Sequence, residues 1–103
     1  MSATPRVRGF PLGIVAHTAT QASHLRLARE HRWQVSEQIF GDALYRIFTR
    51  ADTRIEVKHC PLTRGGRIIS AKRHTPTTIH RVSCDVAAEV ARWLCAQEEA
   101  PTS

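Results

Sequence analysis

The sequence predicts a small single-domain α+β fold, α-β-β-β-β-α, in which an antiparallel meander sheet is packed by the C-terminal helix. Three observations carry this. Residues 43–50, 53–60 and 67–73 are strand-like runs at similar spacing with short turn signals between them, the pattern of an antiparallel meander. Helical periodicity stands at each end of that series. A length of 103 residues suffices for one ordinary core and not for two.

The elements follow in chain order. The domain is expected over residues 12–97, between a loose N-terminal segment, 1–11, with Pro5, Gly9 and Pro11, and a loose acidic tail, 98–103. Residues 19–32 read as a helix with Ala22, Leu25 and Ala28 on one face and Arg26, Arg29 and Arg32 on another. From Trp33 the period changes to two: Trp33, Val35 and Ile39 alternate with Gln34, Ser36 and Gln38, and Gly41-Asp42 signals a hairpin turn. A longer helix reaching Phe40 and capped by Gly41 is the competing reading of 33–40. Ala51-Asp52 and the 61–66 loop separate the next three strands, and Ile79 and Val82 can add a short edge strand after a Thr-rich connection. Ser83 has the character of an N-cap, with Asp85 in the first turn. Val86, Val90, Trp93 and Leu94 then form the apolar stripe of the last helix.

The formal charge is +6, and its placement matters more than its sum: residues 34–82 hold nine Lys or Arg against four acids, whereas residues 83–103 hold one Arg against four. The body is therefore cationic and the final helix opposes it, which favours polyanions or acidic surfaces as partners. Thirteen of the fifteen basic residues are Arg, a bias that a GC-rich genome explains as well as phosphate recognition does. Three cysteines, Cys60, Cys84 and Cys95, have no framework spacing, which speaks for a reducing compartment over a disulfide-stapled secreted domain. Pro11 and Gly13 break the apolar stretch that follows Arg6 and Arg8, so no signal peptide is expected. No run is long enough to span a bilayer, and a cytoplasmic location is the expectation.

The run Thr49-Arg50-Ala51-Asp52-Thr53-Arg54-Ile55-Glu56-Val57, then Gly66-Arg67 and the closing Trp93-Leu94, resembles small uncharacterised proteins of actinobacterial and actinobacteriophage genomes. The resemblance covers roughly the last two thirds of the chain and rests on turn and core residues. It implies an accessory gene, of a bacterial or a phage genome, and brings no functional motif.

Which side of the sheet is free depends on the hairpin at Ala51-Asp52, because a slip of one residue exchanges the two faces. With a two-residue loop Phe48 pairs Ile55 and Arg46 pairs Val57, and the outer face is mixed: Tyr45, Ile47 and Thr49 beside Lys58, Glu56 and Arg54. With a three-residue loop Arg46, Phe48, Arg50, Arg54 and Lys58 share one side, a cationic platform with an aromatic suited to single-stranded nucleic acid.

Other constellations are sparse. Arg64-Gly65-Gly66-Arg67 offers backbone amides between guanidinium groups for an anion if Lys72, Arg73, His74 and Arg81 converge there; otherwise it is a turn. Cys60, His74, His80 and Cys84 match a Cys2His2 zinc donor set, with His59 as a substitute, but lack the close Cys-x-x-Cys pair, so no metal is expected. Cys84 is expected in the first turn of the last helix and Cys95 in its packing. His17, His24 and His31 lie seven apart. There is no nucleophile elbow, Walker loop or dinucleotide fingerprint, hence no expected cofactor. Acid at Asp85 and Glu89 stands where double-stranded RNA-binding domains carry a Lys cluster, which argues against that kinship.

The function expected is that of a small basic, non-enzymatic accessory protein that binds nucleic acid or an acidic partner. Its contacts are Arg26, Arg29, Arg32, Arg46, Arg50, Arg54, Lys58, Arg64, Arg67 and Arg73, with Phe48. A protein-interaction module, as a homodimer or host-factor binder, is the alternative, and a small basic ribonuclease the third.

Overall fold

The computed structural model describes residues 18–64 and 66–96; the expectations for segments 1–11 and 98–103 and for His17 lie outside them. Helix α1 (Ala19–Glu30) precedes strands β1 (Gln34–Phe40), β2 (Ala43–Arg50), β3 (Thr53–Cys60), β4 (Arg67–His74) and β5 (Ile79–Val82), and helix α2 (Val86–Cys95) follows. The sheet is an open antiparallel meander in the order β1-β2-β3-β4-β5. Residues 34–40 are strand and not a helical extension: Arg32 takes a positive φ of 68°, which ends the helix. Beyond it Val35, paired with Phe48, lies in the core.

Both tight hairpins have two-residue loops, Gly41-Asp42 and Ala51-Asp52. The first loop residue takes positive φ in each, 61° at Gly41 and 54° at Ala51. The second loop thus repeats the first with a methyl group added, in a region that costs an L-residue roughly 1–2 kcal/mol.

Both helices lie on one face of the sheet. Leu25 and Ala28 of α1, Val86, Val90, Trp93 and Leu94 of α2, and the inward residues Val35, Phe48, Ile55, Val57 and Ala71 make one core with Trp33. Thr18 caps α1, its Oγ1 accepting from the Gln21 N–H at 3.1 Å. The buried stripe of α1 is Gln21, His24, Leu25 and Ala28, so Ala22, expected inside, is exposed. Two polar side chains displace it because long-range partners satisfy them: Gln21 Nε2 donates to the Gly66 carbonyl at 2.8 Å and His24 Nε2 bonds the Ala87 carbonyl at 2.9 Å.

The start of α2 also departs from expectation. Asp85 and not Ser83 holds the N-cap position, in left-handed conformation (φ 51°) and without a side-chain cap bond, a conformation Asp tolerates better than most residues. Cys84 therefore precedes the helix, and Cys95 at its last turn is exposed and not packed inside.

Arg50 ties these layers together. Its Nη1 donates to the His31 carbonyl at 2.9 Å and its Nη2 to the Ala96 carbonyl at 2.7 Å, the C-cap residues of α1 and α2. Its guanidinium lies 4.2 Å from the Trp33 ring centroid, and Trp33 Nε1 donates to the Leu94 carbonyl at 3.0 Å. A cation at two helix C-termini also complements both dipoles.

Candidate nucleic-acid interface

With Ile55, Val57 and His59 turned toward the helices, strict alternation sends Arg54, Glu56, Lys58 and Cys60 of β3 to the opposite face. The register carries this across the sheet: Glu56 pairs Lys72, Lys58 pairs Ser70, Arg54 pairs His74, and Lys72 pairs Arg81. At Lys58/His59 the register shifts so that Ile69 has no partner and Cys60 meets Arg67. This bulge re-aims the end of β4: Ile68 turns inward against the core and Arg67 joins the outer face. Tyr45, Ile47 and Thr49 continue that face on β2, and Phe40 on β1.

Five permanent cations, Arg54, Lys58, Arg67, Lys72 and Arg81, thus share the face away from the helices, and Glu56 is the one carboxylate among the described strand residues on it. Glu56 is oversubscribed. Its Oε2 lies 3.0 Å from Arg54 Nη2 and 3.7 Å from His74 Nε2, and its Oε1 lies 4.0 Å from Lys72 Nζ. Half-exposed pairs of this kind stabilise the fold by at most about 1 kcal/mol each, and one carboxylate cannot neutralise the row. Lys58 Nζ is 5.7 Å from the Tyr45 ring centroid, and Tyr45 meets Phe40 edge-to-face at 5.7 Å. An aromatic pair therefore adjoins the cations.

The two-residue loop at Ala51-Asp52 corrects the cationic platform of the alternative register. Phe48 and Arg46 are each 1% exposed on the helix side, so neither is a surface contact. Arg46 Nε and Nη2 both donate to Glu37 Oε2, at 3.0 and 2.6 Å, and its Nη1 to Gln21 Oε1 at 3.3 Å. Arg50 is half-buried and committed to the helix ends. Arg73 also points to the helix side, its guanidinium 5.5 Å from the Trp93 ring. Arg26, Arg29 and Arg32 are exposed on or just after α1, across the sheet from the outer face, so helix and sheet cations do not form one surface. Of the expected contacts, Arg54, Lys58 and Arg67 come together there, and Arg64 is exposed in the short 3-10 turn Leu62–Arg64.

The loop expected to cradle an anion spends its described amides internally, since Arg64 N and Gly66 N both donate to the Pro61 carbonyl, at 3.0 and 2.9 Å. The candidate zinc donors separate as well. Cys60 and His74 sit at opposite ends of the β3–β4 ladder, and His80 packs on Trp93 on the other face from His74. Among the described residues no group of three or more His, Cys, Asp or Glu is placed to hold a metal. No described helix is long and apolar enough to cross a membrane.

His24, 3% exposed, titrates unusually. Burial pushes its pKa below 6.5, outweighing the Ala87 carbonyl bond, which raises it, and Arg46 adds to the depression. The unfolded chain takes up this proton near pH 6.5 while the folded ring resists it, so stability is full above that pH and falls as pH drops toward the folded pKa. Each pH unit inside that window costs up to about 1.4 kcal/mol. Melting temperatures at neutral pH and near pH 5 should therefore differ more for the native chain than for His24→Gln, which keeps a donor for Ala87; equal losses would show that His24 is not the acid-sensitive group.

Lys72 and Arg81, read from the sequence only as conditional contacts of the Gly-Gly loop, and the aromatic pair join the outer face. The sequence signal for Tyr45 was the two-residue loop, which fixes the parity of β2 against β3, whereas that of β4 depends also on the register shift at Lys58/His59. Comparison with protein-family models, curated proteins and solved structures finds no match to this chain.

Proposed function

We propose that the protein binds single-stranded nucleic acid on the sheet face opposite its helices, with Arg54, Lys58, Arg67, Lys72 and Arg81 meeting phosphates and Tyr45 and Phe40 stacking bases. The observation that carries this reading is the five-cation row with a single shared carboxylate among the described strand residues, bordered by half-buried Tyr45 and exposed Phe40. Cations tracking a backbone beside aromatic rings are the ingredients of sequence-tolerant single-strand binding. A duplex would present its bases already stacked and leave the rings without a role.

If each cation neutralises one phosphate, the slope of log affinity against log salt is roughly −3.5, and affinity falls about a hundredfold between about 50 and 200 mM salt. Fluorescence anisotropy with a labelled oligonucleotide measures this directly, and Lys58→Ala should lower the slope by roughly 0.7. Binding that ignores salt would refute the reading.

A second reading draws on the sheet edge. Among the described residues β1 pairs only β2, carries no Lys or Pro, and ends in Ile39 and Phe40, which are 63% and 62% exposed. Such an unguarded edge invites strand pairing with a second copy. Light scattering at high salt tests it: a persistent dimer that Ile39→Lys dissolves supports self-association, and a monomer at high protein concentration rejects it.

A further inference from the structure

The β4–β5 ladder ends at the pair Ala71–Val82. Beyond it Ser70 continues β4 while Ser83 leaves the strand, and the divergence opens a cleft of about 330 Å³ lined by Ser70, Ala71, Lys72, Arg81, Val82 and Ser83. Lys72, Arg81, Ser70 and Ser83 border it, and no carboxylate is among its described lining residues. Glu56 approaches Lys72 only to 4.0 Å, Asp85 lies beyond Ser83 outside the described lining, and Arg81 has no ion-pair partner among the described residues.

We propose that this cleft binds a phosphomonoester: the terminal phosphate of a nucleic-acid strand, with its nucleotide. The inference rests on the single-strand reading and gives that surface an end. A terminal phosphate carries close to two charges at neutral pH where an internal phosphodiester carries one, matching the two adjacent cations Lys72 and Arg81. The Ser70 and Ser83 hydroxyls supply donors for its remaining oxygens. Ala71 belongs to the core and Val82 packs against it, so the cleft closes toward the interior. A strand crossing the cationic face would end there.

The test uses the full chain and a labelled uridine octamer carrying either a 5′-phosphate or a 5′-hydroxyl, with a 3′-phosphorylated version to fix polarity and uridine monophosphate as competitor. One phosphorylated end is expected to bind about tenfold tighter than the hydroxyl form. Arg81→Ala removes that preference, whereas Lys58→Ala weakens all forms alike. Equal binding of phosphorylated and unphosphorylated ends, with Arg81→Ala weakening both equally, overturns the cleft and leaves the single-strand reading standing. Mononucleotide binding that depends on Arg81, with no oligonucleotide affinity, keeps the cleft and sinks the single-strand reading. A circular-dichroism spectrum unchanged in Arg81→Ala separates loss of the site from loss of fold.

Discussion

Replacing Phe48 with Ala is expected to remove about 3–5 kcal/mol of folding stability, the range for truncating a fully buried aromatic. Phe48 pairs Val35 on one side and Ile55 on the other, and all three belong to the core that α1 and α2 cover. A domain of this size has about 5–15 kcal/mol in total, so the variant should populate unfolded chains at moderate temperature. Urea titration measures the loss, and Phe48→Leu should lose much less. A variant that keeps its midpoint while losing oligonucleotide binding would place Phe48 on the binding surface and invert the assignment of sheet faces.

Arg46→Ala is expected to cost about 3 kcal/mol, since breaking a buried pair leaves its partner's charge uncompensated. Glu37, whose side chain is 21% exposed, would keep some contact with water, which holds the loss toward the lower end. Gln21 would lose a donor to its Oε1 as well. Glu37→Gln should be milder, because an amide oxygen still accepts from the guanidinium. The double variant Arg46→Met with Glu37→Leu should recover part of the loss, as apolar groups in place of a buried pair often do. Chemical denaturation of this double variant and of its two single substitutions, Arg46→Met and Glu37→Leu, gives the coupling between the residues. Additive losses would mean that the 2.6 Å contact contributes nothing specific.

These residues also mark the boundary of what the sequence made legible. The meander, the positions of both hairpin turns and the apolar stripe of α2 follow from local patterns: Gly41-Asp42, Ala51-Asp52, and Val86, Val90, Trp93 and Leu94 at helical spacing. Other features depend on partners distant in sequence. Gln21 and His24 displace Ala22 from the core only because Gly66 and Ala87 arrive to bond them. Glu37, polar at an inward position of β1, makes sense only opposite Arg46. Arg50 reads as a surface cation until the ends of both helices close on it. The outer face was legible only conditionally: the correct register stood as one of two, and the bulge that swings Arg67 outward leaves no trace in composition or alternation. Arginine has the same letter whether it binds a phosphate, a carboxylate or a carbonyl, so a count of basic residues overstates the surface available to a polyanion.

The Arg50 clamp makes the two helices thermodynamically dependent on each other. A single guanidinium binds a carbonyl at the end of each, so fraying of either last turn loosens the side chain that holds the other, and their amide protons are expected to exchange with solvent as one cooperative block. Because Arg50 immediately precedes the strained Ala51 turn, the hairpin that sets the parity of the outer face is anchored from behind by the helical layer, and that face inherits its rigidity from side chains it never displays.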